Sequence, residues 1–239
     1  MQRNLQDLLI IDIETVSTTW QYDSLDERLR KQWERKAQLI KNEEGKTPGE
    51  LFLEKAGIYA EFGKIVCISM GFFTLKEGGK WSFRVKSVAH EDEKSLLTEF
   101  ISYLSRFDER TTCLCAHNGK EFDFPYLCRR LLINEMPLPT LLDNSGKKPW
   151  EVNFIDTMEM WKFGDWKSYT SLELLATLFG VDSSKSDMDG SMVSKVYYEE
   201  NGLDKIAEYC AQDVIVTAQV YLKMAGLPTI EDENISVIP

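Results

Sequence analysis

A short apolar run near the start of this chain ends in two carboxylates. Residues 8–11 are all leucine or isoleucine, and Asp12, Ile13 and Glu14 continue the run in alternation. Alternate residues of a β-strand share a face, so Asp12 and Glu14 lie together at the end of a strand predicted over residues 7–13. Two adjacent carboxylates repel unless a cation lies between them. The pattern therefore indicates either an exposed acidic turn or a metal site.

A second acidic segment follows a buried strand predicted over residues 111–116. Residues 117–119 (HNG) break the strand, and Phe122, Asp123 and Pro125 open a helix predicted near 122–133. Asp123 alone could be a helix N-cap, because Asp favours that position and Pro favours the first turn. An N-cap does not account for the whole string from Asn118 to Asp123.

The third segment is a helix predicted over residues 202–224, which contains no proline. Tyr209 and Asp213 lie one turn apart and are therefore neighbours. A tyrosine hydroxyl beside a metal-bound water can orient that water while the aspartate holds the ion. An amphipathic helix with an incidental polar pair explains this segment equally well when it is taken alone.

Taken together and in order, the three segments resemble the DEDD 3′–5′ exonucleases, an RNase H-like superfamily. The spacing of Tyr209 and Asp213 resembles the tyrosine (DEDDy) branch, and Glu208 stands where the histidine branch has His. The likeness is greatest to the proofreading exonuclease domain of family-B DNA polymerases and to small stand-alone proteins related to it. It extends to the strings 171–180 (SLELLATLFG) and 185–191 (KSDMDGS), and it covers roughly residues 5–20 and 60–225.

The resemblance implies a fold, a cofactor and a set of site residues. The fold is α/β, an RNase H-like three-layer arrangement with a mixed central sheet of about five strands and flanking helices. Two Mg²⁺ or Mn²⁺ ions would be held by four carboxylates, and Tyr209 would position the nucleophilic water; the carboxylates are Asp12, Glu14, Asp123 and Asp213. Four further residues are predicted to contact or support the substrate: Asn118, Phe122, Asp156 and Lys185. For Asp156 a plain turn position at the end of a short strand is an equal alternative.

The predicted activity is metal-dependent 3′–5′ hydrolysis of single-stranded nucleic acid to nucleoside 5′-monophosphates, with DNA favoured over RNA. One alternative is a tyrosine-branch ribonuclease that trims RNA 3′ ends, since no residue decides whether the pocket accepts a 2′-hydroxyl. Another is a catalytically silent module that binds nucleic acid or protein. Protein partners are not indicated.

The composition of the chain restricts these functional interpretations. The net charge is −11, from 28 basic and 39 acidic residues, which argues against tight non-specific duplex binding through phosphate neutralisation. A strand end held by metal ions remains compatible with that charge. Five scattered cysteines and only two histidines favour core thiols over a zinc site. The chain has no 18-residue apolar segment and no room for a signal peptide, and a cytoplasmic location is predicted.

Residues 1–228 are predicted to form one exonuclease domain, followed by a loose tail at 229–239. Besides the segments above, strands are predicted near 65–75, 80–88 and 153–156, and helices near 92–105, 169–179 and 190–199. Residues 20–60 are predicted to be a helical insertion, either a lid or binding element or a tolerated excursion. Trp161, Phe163 and Trp166 alternate with lysines, and their rings either stack on the bases of a single strand or belong to the core.

Overall fold

A six-stranded mixed sheet forms the middle layer of the protein in a computed structural model, which describes residues 4–148, 151–165, 169–182 and 188–238. Its strands are β1 (Leu8–Ser17), β2 (Gly63–Leu75), β3 (Trp81–Ala89), β4 (Cys113–Ala116), β5 (Ile155–Asp156) and β6 (Ile235–Ile238). They are arranged in the order β5-β4-β1-β2-β3-β6. The first three strands form an antiparallel meander, and β4, β5 and β6 each pair in parallel with a neighbour.

Helices cover both faces of this sheet. They are α1 (Glu27–Ala37), α2 (Pro48–Lys55), α3 (Glu93–Leu104), α4 (Asp123–Ile133), α5 (Thr157–Lys162), α6 (Leu172–Phe179), α7 (Val193–Glu200) and α8 (Leu203–Met224). Ile11 packs on one face in the same core cluster as residues of α3 and α4, whereas Ile10 packs on the other face with residues of α8. The alternation predicted for the first strand is therefore present, and even-numbered residues of β1 face α8.

The structure differs from the prediction at the C-terminus. Residues 235–238 form β6 and pair with residues 83–86 of β3, so the expectation of a loose tail is wrong for them and the sheet has six strands. The side chain of Gln219 in α8 holds the returning chain, because its amide nitrogen donates to the Ile230 carbonyl at 2.7 Å and its oxygen accepts from the Ile230 amide at 2.9 Å. Among the described residues, no helix has the length and apolar character needed to cross a bilayer.

Residues 20–60 contain the helical pair α1 and α2 around a small aromatic core. Trp33 is fully buried, packs edge-on against Phe52 and Phe62, and donates its indole N–H to the Pro48 carbonyl at 2.7 Å. Thr47 and Glu50 form a capping box at the start of α2, which satisfies two otherwise unpaired amides. The insertion is thus held together by its own contacts.

Candidate active site

Asp12 and Glu14 project from the middle strand toward α8. One ligand atom from each of Asp12, Glu14 and Cys210 lies within 4.8 Å of the others. Cys210 is fully buried in α8, and its Sγ lies 3.2 Å from Asp12 Oδ2, to which the thiol donates. The first strand and the last long helix therefore meet at the two carboxylates.

Asp123 lies beside this pair and does not cap its helix. It is the first residue of α4, whose N-cap is Phe122, so the N-cap interpretation is wrong. Its Oδ1 instead accepts a hydrogen bond from the Ile13 amide at 3.1 Å, and the residue is only 3% exposed. Because Ile13 separates Asp12 from Glu14, this bond places the Asp123 carboxylate against the same stretch of β1.

Tyr209 and Asp213 complete the cluster from α8. Their side chains share a hydrogen bond, as expected for residues one helical turn apart. Burial, followed by the negative charges of Asp213, Glu14 and Asp12, raises the pKa of Tyr209 above its ordinary value. The phenol therefore keeps its proton and donates a hydrogen bond to the Asp213 carboxylate.

All four carboxylates have raised pKa values. Burial is the first cause for each, and the charges of neighbouring carboxylates add to it for Asp12 and Glu14. Burial raises the pKa of Asp123 to about 7 in spite of the hydrogen bond from Ile13. Burial and then the charge of Glu173 raise the pKa of Asp213 to about 6, against the lowering effect of Tyr209. Burial and proximity therefore disfavour the ionised forms of these carboxylates, and the hydrogen bonds of the cluster offset this only in part.

A cleft of about 580 Å³ opens onto this cluster. Asp12, Tyr209 and Asp213 form part of its floor, whereas Glu14 and Asp123 are buried. No lysine or arginine is among the described residues that line it. The protein thus supplies four carboxylates and, in the described lining, no cationic side chain to neutralise them.

Asp156 is a structural residue of this region. It is 2% exposed, and its carboxylate accepts hydrogen bonds from four backbone amides, those of Asn118, Lys120, Met158 and Glu159, at 2.9–3.3 Å. Two of these amides belong to the loop before Asp123, and the other two belong to the first turn of α5. Asp156 therefore caps α5 and holds the loop, as a supporting residue would, and direct contact with substrate stays a prediction.

The other three residues predicted to contact or support the substrate do not share one environment. Asn118 has a left-handed backbone (φ 62°), and its side-chain oxygen is buried without a hydrogen-bond partner among the described residues. Phe122 packs against the ring of Tyr126. Lys185 lies outside the described residues, so its predicted role stays a prediction.

Several residues of the site were not identified from the sequence. Cys210 contacts Asp12, and its only sequence signal is its place next to Tyr209. His117 lines the cleft and is neutral, because burial lowers its pKa. Its ring nitrogens lie 2.8 Å from Thr157 Oγ1 and 2.9 Å from the Thr170 carbonyl. These bonds join the loop before Asp123 to the segment that enters α6.

The donor set fits hard divalent cations. Mg²⁺ and Mn²⁺ prefer carboxylate oxygen, and four such groups converge here with raised pKa values and no lysine or arginine in the described lining. A cation would remove the repulsion that burial and proximity create.

The fold of this chain is similar to that of a known DNA polymerase domain. The structure is similar to the family B DNA polymerase of the hyperthermophilic archaeon Pyrobaculum calidifontis, with a TM-score of 0.52 and 15% sequence identity, over 90% of this chain and 24% of the polymerase. The fold is the RNase H-like α/β fold of the polymerase's exonuclease domain, as predicted. The chain spans about a quarter of the length of that polymerase.

The chain belongs to the family described as a predicted 3′–5′ exonuclease related to the exonuclease domain of PolB, with residues 58–234 matched. The predicted resemblance is thereby confirmed. Among curated proteins, none matches this chain. The matched range contains Asp123, Tyr209 and Asp213, whereas β1 with Asp12 and Glu14 precedes it, so the geometry of β1 is the independent evidence for those two carboxylates.

Proposed function

We propose that this protein is a divalent-metal-dependent 3′–5′ exonuclease that hydrolyses single-stranded nucleic acid, preferably DNA, to nucleoside 5′-monophosphates. One observation carries the proposal. Four carboxylates from β1, α4 and α8 converge at an open cleft, and no lysine or arginine of the described lining offsets their charge. Such a site is a liability for the fold unless it binds cations, and family membership supplies the reaction.

Asp12, Glu14, Asp123 and Asp213 would hold two Mg²⁺ or Mn²⁺ ions. When bound, paired ions of this kind activate water and stabilise both the attacking and the leaving oxygen of a phosphodiester. The protein positions these ligands through rigid elements. The Ile13 amide orients Asp123, and Tyr209 orients Asp213.

Tyr209 would act on the nucleophilic water through its hydroxyl. Its raised pKa keeps the phenol protonated, so the group serves as a neutral hydrogen-bond partner and not as a base. A phenol that donates to Asp213 still offers its oxygen lone pairs to a water in the cleft. This arrangement holds the water's orientation without adding charge to the site.

The proposed substrate is a single strand because the chain lacks the charge for a duplex-binding surface. The net charge of −11 leaves little attraction for a long phosphate backbone. We propose DNA over RNA because the chain resembles a domain of a DNA polymerase, and RNA is the alternative substrate. All five cysteines are free thiols, which supports the predicted cytoplasmic location.

The test is digestion of 5′-labelled single-stranded DNA and RNA of the same sequence with Mg²⁺, with Mn²⁺ and with chelator. Stepwise shortening from the 3′ end, with nucleoside 5′-monophosphates as products, is the expected result in either metal. A 3′-phosphate should slow the reaction. Internal fragments, or activity that persists in chelator, would overturn the proposal.

Two matched variants distinguish metal binding by the carboxylate cluster from a general effect of negative charge in the cleft. Asp213→Asn should abolish nearly all cleavage. Asp189→Asn removes the same charge from the same cleft, but Asp189 is bonded to Ser191 and not to the carboxylate cluster, so cleavage should persist. Equal loss in both variants would mean that general cleft charge, and not metal binding by Asp213, supports activity.

A further inference from the structure

Two aromatic rings are exposed at the ends of the segment that joins α5 to α6. Phe163 is 91% exposed and Tyr169 is 72% exposed. Of the other aromatic residues singled out nearby, Trp161 packs edge-on against Phe179 and belongs to the core, and Trp166 lies outside the described residues. Of that sequence pattern, Trp161 packs in the core and Phe163 is exposed, and Tyr169 adds a second exposed ring that the pattern did not include.

Phe163 carries a conformational cost that the fold does not offset. Its backbone is left-handed (φ 44°, ψ 34°) where α5 ends, a conformation that glycine adopts at helix ends and that bulky residues rarely adopt. A ring that is 91% exposed gains little from packing. Strained and exposed aromatic positions of this kind cluster at functional sites.

Tyr169 lines the cleft that holds Asp12, Tyr209 and Asp213. The next residue, Thr170, is buried, and its carbonyl oxygen accepts a hydrogen bond from the His117 ring. This bond fixes the backbone from which the Tyr169 side chain enters the cleft. The two residues are six positions apart in sequence, which limits the distance between their Cα atoms to roughly 22 Å. Tyr169 therefore lies in the cleft, and Phe163 lies within reach of a strand that extends several nucleotides beyond it.

The cleft is better suited to bases than to phosphates. Besides the carboxylate cluster, its described lining includes Glu173 and Asp189 and no lysine or arginine, so none of these described residues offers a phosphate backbone a lysine or arginine partner. Aromatic faces bind any base without regard to charge or sequence. Stacking is consequently the interaction that this surface offers to a single strand.

We propose that Tyr169 and Phe163 form a base-stacking platform that holds the unpaired bases of a single-stranded nucleic acid at the cleft. This proposal depends on the proposed exonuclease function in one respect, namely that the 3′ end of the strand is the end held at the cleft. Tyr169 would stack on a base within the cleft, and Phe163 on a base outside it. The platform explains how an acidic protein holds a polyanion for repeated cleavage.

The test measures binding apart from cleavage. A fluorescein-labelled 12-residue oligothymidylate is titrated with protein in chelator and followed by anisotropy. Tyr169→Leu and Phe163→Leu should each weaken binding roughly 5- to 150-fold, the range for losing one stacked base. Tyr169→Phe keeps the ring and should bind like the parent.

An oligonucleotide with abasic 3′-terminal positions makes the test specific to bases. The parent should bind it less tightly than the intact strand, and each leucine variant should show a smaller difference between the two strands, because one of its two rings remains. A shallow dependence of affinity on salt should accompany this behaviour, because few phosphate contacts are involved. Parent-like binding by both leucine variants, or no binding by the parent, overturns the proposal.

Phe163→Gly separates a functional ring from a structural one. Glycine relieves the left-handed strain, so this variant should melt roughly 2–4 °C higher than the parent while it binds more weakly. If the variant melts lower, Phe163 supports the fold and the proposal fails. If ring removal instead abolishes self-association and leaves oligonucleotide binding intact, the surface serves a second copy of the chain and the proposal also fails.

The two proposals fail in different ways. Ring-dependent binding without cleavage in Mg²⁺ or Mn²⁺ would overturn the exonuclease function and uphold the platform. Metal-dependent cleavage with ring-independent binding would do the reverse.

Discussion

Replacing Asp213 by asparagine should stabilise the protein when no metal is present. Burial and the charge of Glu173 raise the pKa of Asp213 from 3.8 to about 6, so the native state holds the ionised carboxylate less favourably than the unfolded chain does. A difference of about two pKa units corresponds to about 3 kcal/mol. This is the upper limit of the gain, and it corresponds to a melting temperature up to about 10 °C higher for a domain of this size.

The gain has a defined pH window. Above pH 6 the carboxylate is ionised in both states, and the full cost is present. Between pH 6 and pH 4 the native state takes up the proton first, so the cost decreases. Below the ordinary value of 3.8 both states are protonated and no cost remains. The advantage of Asp213→Asn over the parent should therefore be largest near pH 7.5 and small at pH 4.5.

Added metal should reverse the order of stability. An ion that binds only the native state stabilises it by about 4.1 kcal/mol when its concentration is about 1,000 times the dissociation constant, which exceeds the limit of about 3 kcal/mol on the variant's advantage. The parent should receive this gain and the variant little of it. The assay is thermal melting of both proteins at pH 7.5 and pH 4.5 with chelator, and at pH 7.5 with Mg²⁺ or Mn²⁺.

Asp189→Asn is the matched control for these melts. Asp189 lines the same cleft, but hydrogen bonds from Ser191 lower its pKa, so removing this charge should not stabilise the metal-free protein. An Asp213→Asn protein that melts several degrees below the parent in chelator, yet responds fully to metal, would refute the reasoning. Asp213 would then be a structural residue and not a ligand.

Three further predictions concern the same region. Tyr209→Phe removes only the hydroxyl and should lower the rate about 10²–10⁴-fold while the metal-induced melting shift stays unchanged; a parent-like rate would show that Tyr209 only packs. Asp156→Ala leaves four backbone amides without their acceptor and should destabilise by about 2–4 kcal/mol in denaturant titrations, whereas a raised KM at unchanged stability would indicate substrate contact. Metal affinity should fall at least about tenfold for each pH unit below 7, because binding must displace the proton from Asp123, whose pKa is about 7, and burial raises the pKa values of the other three carboxylates as well. Calorimetric titrations at pH 6 and pH 8 that give the same affinity would contradict this.

Local patterns made the positions of the carboxylates predictable. Strand alternation alone places Asp12 and Glu14 on one face of β1, and helical spacing alone makes Tyr209 and Asp213 neighbours. Both relations hold in the structure because they depend on residues at most four positions apart. The convergence of the three segments does not follow from such patterns and was inferred from family resemblance.

Features that depend on distant partners were not predictable in this way. β6 forms because Gln219 returns the chain to the edge of β3, about 150 residues away in sequence. Asp156 is one of many aspartates at a strand end, and only the fold brings to it the amides of Asn118 and Lys120. For Cys210, the sequence shows its place next to Tyr209, but it does not show its contact with Asp12.

The insertion after β1 has a consequence for how this protein can be divided and recombined. The chain leaves the sheet beyond Ser17 and returns at Gly57, where an added Cβ would lie 3.2 Å from the Val16 carbonyl carbon. Ser17 and Gly63 are partners in the β1–β2 ladder. Because the excursion starts and ends at one point of the ladder, a short turn in its place would leave the β1–β2 hairpin closed. Such a turn would also remove the carbonyls of Gly57 and Ala60, which accept hydrogen bonds from Tyr126 and Arg130 of α4, so the excursion is tied to the rest of the fold on that side.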